Sequence, residues 1–176
     1  VYEVGFAASV AVAGQTYSVA VSPAAFFGYL LGVEMLVALF TMVPAARLAE
    51  RVGLKPVVGC GFAVYALFPA VLIGVPELVG VSQWVFVGLF AVSGLRFAGL
   101  PSHKALIVGP AEAGAGGRVT GSYYLLRNAL VIPSAALGGV LWEFVSPQVA
   151  FGLASVVGVC GVGYFVVFGE EFEPYR

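Results

Sequence analysis

Three charged residues lie inside long apolar runs: Glu34, Arg96 and Arg127. A charge at the centre of a bilayer costs at least about 2.5 to 3.5 kcal/mol on insertion scales, so such a residue is paired, wetted or engaged with a substrate. Glu34 stands about ten residues from either end of its run and Arg127 about nine from the start of its own. At a rise of about 1.5 Å per residue the two are at similar depth. Opposite charges at one depth can titrate, bind an anionic group, or hold two helices together as a fixed ion pair. Arg96 stands nearer the end of its run, where its stem can snorkel to the interface. Other chemistries lack parts. His103 is the only histidine, there is no aspartate, and Cys60 and Cys160 lie about a hundred residues apart. A metal site, a cofactor and a nucleophile–base pair are therefore not expected, and neither is enzyme activity. Gly114, Gly116 and Gly117 lack the strand and the GK[ST] of a phosphate cradle.

The elements that carry these residues follow from composition. The 176 residues are 61% hydrophobic and 10% charged with a mean hydropathy of +1.03, against about 25% charged in soluble domains. Lipid is the solvent such a surface fits. Backbone groups in hydrocarbon must then be satisfied internally, by helices or a closed barrel. Apolar runs of about twenty residues select helices, and the alternating segments of about ten residues that build a barrel are missing. Net charge is −1 with no basic tract, so nucleic acid is not an expected partner.

Taken in order, residues 1–13 are apolar apart from Glu3 and too short to cross. They read as the tail of a truncated transmembrane helix, or less favourably as the start of a polar span reaching Val21. Ser22-Pro23 opens a span over 22–43, with proline where a missing donor costs nothing. A charged cytoplasmic loop over 44–55 follows, then spans over 56–75 and 82–100 joined by a short turn with Glu77. Residues 101–117 form a second polar loop with His103, Lys104 and Glu112; spans over 118–142 and 149–168 come next, and 169–176 is an acidic tail. Arg47, Arg51, Lys55, Lys104 and Arg118 flank one set of loops, while Glu77 and Glu143 mark the other. The cation-rich side is expected to be cytoplasmic, which puts the C-terminus there too. The expected fold is an all-α polytopic transmembrane bundle in the cell membrane, with five full spans and an N-terminal helix stub.

The loop from Pro44 to Pro56 carries a more specific signal. Its Ala46, Glu50, Arg51, Gly53 and Lys55, in the order small residue, three residues, acid, Arg, any, Gly, any, Lys, resemble the signature loop of the major facilitator superfamily of secondary transporters. The stretch from Pro101 to Trp142, with Lys104, Arg118, Tyr123, Tyr124, Arg127, Pro133, Gly138, Gly139 and Trp142, is similar to the tenth-to-eleventh helix connection of a prokaryotic branch of that superfamily. The chain departs from the pattern where the leading glycine is Ala46 and a terminal basic position is Leu54.

The resemblance implies the C-terminal half of a two-half transporter, with a small-molecule substrate bound near the midplane between the halves. The partners it implies are the bilayer, the missing N-terminal half and the solute, with protons as a candidate coupling ion. It places Glu34 and Arg127 on cavity-lining helices and assigns Glu50, Arg51 and Lys104 to contacts that close the cytoplasmic side. The competing expectation is a scaffold or half-transporter that works only as an oligomer.

Overall fold

The computed structural model describes residues 6–12, 15–112 and 114–170. Among them, five helices are long and apolar enough to cross a membrane: Pro23–Val52, Leu54–Val79, Gln83–Val108, Gly116–Phe144 and Pro147–Phe168. That is the make-up of a multi-pass membrane protein. We label the helices α1 (Pro23–Val52), α2 (Leu54–Val79), α3 (Gln83–Gly94), α4 (Leu100–Val108), α5 (Gly116–Phe144) and α6 (Pro147–Phe168), with a 3₁₀ turn Leu95–Phe97 joining α3 to α4 within the third span.

The N-terminal stub is not helical where it is described. Strands β1 (Phe6–Val12) and β2 (Gln15–Val21) pair antiparallel from Phe6↔Val21 to Val12↔Gln15. A two-residue connection between short Val-containing segments, the second with Thr16 and Tyr17, suits a hairpin, and neither segment is long enough to span as a helix. Residues 1–5 and 13 of the expected stub, with Glu3, lie outside the described residues, as do 171–176 of the acidic tail.

Two expected loops are mostly helix. α1 runs without a break through Pro44, Arg47 and Glu50 to Val52, and α2 begins at Leu54. The turn between them is Gly53 alone, whose φ of 97° suits glycine and whose N–H donates to the Ala49 carbonyl at 2.9 Å. Charge does not end a helix; the left-handed residue does. At about 45 Å, α1 is longer than the hydrocarbon core, so its charged last turns extend past the apolar layer. Likewise Pro101 starts α4 within its first turn instead of ending the span, and the helix continues to Val108. The expected outer turn at 74–80 shrinks to the residues after Val79.

The packed core lies between α1 and α3. Phe26, Leu30, Glu34 and Ala38 recur every fourth residue along α1 and all four are buried. Phe26 and Leu30 cluster with Phe86 and Phe90 of α3, with Phe68 and Leu72 of α2 alongside. The stripe faces inward by helical spacing, and its third position is a carboxylate. α2 and α6 pack antiparallel through small residues: Gly158 meets Ala66, and one turn further Ser155 Oγ accepts from the Ala70 N–H at 2.9 Å.

Candidate functional site

Glu34 is 1% exposed and occupies a core position of α1. Its neighbour across the helix pair is Ser93, fully buried near the end of α3. Ser93 Oγ donates to Glu34 Oε1 at 2.5 Å, and the same oxygen accepts from Arg96 Nη2 at 2.9 Å. Gly94 makes this approach possible. A Cβ there would lie 2.6 Å from the Glu34 carbonyl oxygen and 2.7 Å from Val37 Cβ, so the α1 and α3 backbones touch at the level of the carboxylate.

Arg96 stands in the 3₁₀ turn where the third span is interrupted. Because that span runs from Gln83 to Val108, Arg96 is mid-span. The sequence expectation that it snorkels to an interface is overturned, since its guanidinium turns inward onto Glu34. The group also lies 4.7 Å from the Phe97 ring centroid, 5.4 Å from Tyr65 and 5.9 Å from Phe68. Those π faces add attraction of about 0.5 to 2 kcal/mol each, depending on desolvation. Among the described residues the buried Nε has no hydrogen-bond partner, so the cluster keeps one unused donor.

Arg127 does not join this cluster. Similar depth is compatible with the expected pair to Glu34 but says nothing about which way two helices face. Arg127 is exposed on α5, and its Nη1 donates to Asn128 Oδ1 at 3.5 Å. One turn earlier on the same helix, Tyr123 meets His103 of α4, with the phenol oxygen 3.1 Å from Nε2. Arg127 is near enough to act electrostatically on both groups. Ring contacts run on from His103 to Phe62 of α2 at 5.1 Å and from Tyr123 to Tyr124 at 5.4 Å. Sequence reading left His103 without a partner because its partner is 20 residues away.

The signature residues fall at one end of the first two spans. Ala46, Glu50 and Arg51 are on the last turns of α1, Gly53 is the turn itself, and Lys55 opens α2. Glu50, Arg51 and, on α4, Lys104 are exposed.

No family model, curated protein or solved structure matches the chain. The likeness to the major facilitator superfamily rests on the quoted motif residues.

Two sites can thus do chemistry in the apolar layer. One is a buried carboxylate held by a hydroxyl and a guanidinium at a helix break. The other is an exposed guanidinium beside a phenol–imidazole pair.

Proposed function

We propose that this chain forms the C-terminal half of a major-facilitator-type secondary transporter, in the cell membrane with its C-terminus cytoplasmic, and that it moves a small solute by alternating access. The observation that carries this reading is the Glu34–Ser93–Arg96 cluster at mid-span beside the interruption between α3 and α4. Interrupted helices with charged groups near the midplane are how secondary transporters place binding and coupling sites.

In this reading Glu34 takes up and releases the coupling proton. When ionised, it holds Arg96 and keeps α1 against the third span. Once protonated, it leaves Arg96 without a counter-charge, and the guanidinium turns to an anionic substrate group or to water. Ser93 positions the carboxylate through its hydrogen bond. The signature residues Glu50, Arg51 and Lys104 engage the other half when the cytoplasmic side closes.

The test is solute-driven proton movement. Inverted membrane vesicles from cells expressing the gene product, loaded with a pH-sensitive dye, are challenged with anionic, neutral and cationic solutes. A solute that moves protons in wild-type vesicles and fails to do so in Glu34→Gln supports the proposal. Proton movement that survives Glu34→Gln sinks the coupling role, and silence across the panel under both a pH gradient and a potential sinks the transport reading.

A further inference from the structure

Arg127 stands three residues from the midpoint of α5, about 5 Å along the helix axis. It is exposed, and among the described residues it meets no carboxylate, only the amide oxygen of Asn128 at 3.5 Å. A guanidinium at that depth is costly unless an acceptor or water meets it, and its exposed face leaves room for one.

What surrounds Arg127 narrows the choice of acceptor. Tyr123, four residues back, shares its helix face and is hydrogen-bonded to His103 at 3.1 Å. If the imidazole Nε2–H donates to the phenol oxygen, the phenol O–H is free to donate outward, toward the Arg127 side. Two donors then converge from one face: a planar fork and a hydroxyl. The flanking edges are apolar, with Phe62 against His103 and Tyr124 against Tyr123. One fixed cation compensates one negative charge. A phosphate dianion would be left half neutralised in a dry site, whereas a carboxylate matches the guanidinium fork.

We infer that Arg127, Tyr123 and His103 form a binding site for a small monocarboxylate with an apolar body, which lies on α5 with its carboxylate between the guanidinium and the phenol. As the substrate site of the transporter it rests on the reading above; as a binding site it can be tested by itself.

The probe is radiolabelled benzoate, with equilibrium binding measured on the purified protein in detergent and with acetate, benzyl alcohol and benzylamine as competitors. Saturable binding is expected, displaced by acetate but not by the alcohol or the amine. Arg127→Gln should weaken it by at least about tenfold, the loss of a charged hydrogen-bonding partner, and Tyr123→Phe by several-fold. Glu77→Gln, at the end of α2, should leave it unchanged. An unchanged elution volume on size exclusion separates lost binding from lost fold, and Tyr123→Phe keeps the ring that packs in the ladder. Absence of benzoate binding in the wild type, or binding indifferent to Arg127→Gln, overturns the inference. So does a wild type that binds no carboxylate while Arg127→Gln changes the size of the assembly, which would give Arg127 to a carboxylate on a partner polypeptide. Benzoate binding without transport of any solute would sink the transport reading and leave the site. Transport of cations alone, with no carboxylate binding, would sink the site and leave the transport reading.

Discussion

Arg96 Nη2 lies 2.9 Å from Glu34 Oε1, joining the middle of the first span to the break in the third. The pair is asymmetric. Glu34 is sealed in the α1 core stripe, while the Arg96 side chain is 23% exposed and rests on aromatic faces. Arg96 can therefore rearrange with the broken segment more readily than Glu34 can leave its helix. A buried pair of this kind is weak evidence for net stability, but removing one partner is strongly destabilising because it leaves the other charge unpaired.

Glu34→Ala should therefore cost about 3 to 5 kcal/mol in the unfolding of the detergent-solubilised protein. Arg96→Met in the same background should recover most of that loss, since neither charge then remains. A double-mutant cycle reads the coupling directly, and a value under about 0.5 kcal/mol would mean that the two side chains do not act as a pair.

Gly158 fixes how closely α6 approaches α2. A Cβ at this position would fall 2.8 Å from Ala66 Cβ and 2.9 Å from its Cα, inside van der Waals contact. Gly158→Ala should force the helices apart at a cost of about 1 to 3 kcal/mol. Ala66→Gly removes the Cβ contact but leaves the backbone Cα at 2.9 Å, so the double variant should recover only part of the loss. If Gly158→Ala alone is neutral, the helices are not in contact at this point.

The spans were legible because a lipid-facing helix is apolar on most of its surface, so run length alone reveals it. Their ends were not. Arg47, Glu50 and Arg51 read as a loop because they are charged, yet a helix that leaves the hydrocarbon can carry them, and only Gly53 breaks it. Pro101 read as a stop, but at the first turn of α4 proline is a start. That misplacement put Arg96 near an interface and hid it as the partner of Glu34. Which helices face one another is set by packing, and a sequence shows depth more readily than azimuth. One signal was available for Glu34: Phe26, Leu30 and Ala38 share its spacing of four, which marks an inward stripe on α1. Nothing local pointed to Ser93, 59 residues from the carboxylate it donates to.

Ser155 supplies an acceptor to α2 beside Pro69. Pro69 lacks an N–H and disturbs the helix ladder around it, and the Ala70 N–H donates to Ser155 Oγ across the helix pair at 2.9 Å. Ser155→Ala should leave that N–H without its partner and cost about 1 kcal/mol, with Ser155→Thr retaining the hydroxyl. Faster hydrogen exchange at Ala70, with little change at residues nearer the ends of α2, is the expected signature. Uniform exchange along α2 in both proteins would detach Ser155 from the Ala70 N–H.

Orientation can be read from three substituted cysteines. Successive spans alternate in direction, so the turn at Gly53 and the connection between α4 and α5 lie on one side, and the ends near Glu77 and Glu143 on the other. The first side carries Arg47, Arg51, Lys55 and Arg118, and the second carries no Lys or Arg at its connections. By the charge bias the first side is expected to be cytoplasmic. With Cys60 and Cys160 replaced by alanine, a membrane-impermeant maleimide should label Glu77→Cys and Glu143→Cys in intact cells and Glu50→Cys only after permeabilisation. Because α6 runs in the same direction as α1, the end at Phe168 shares the side of Glu50, and a reporter fused after Arg176 should be cytoplasmic. Labelling of Glu50→Cys in intact cells would invert the assignment. It would also remove the cytoplasmic role proposed for Glu50, Arg51 and Lys104, since that role requires their charges to face the inner side.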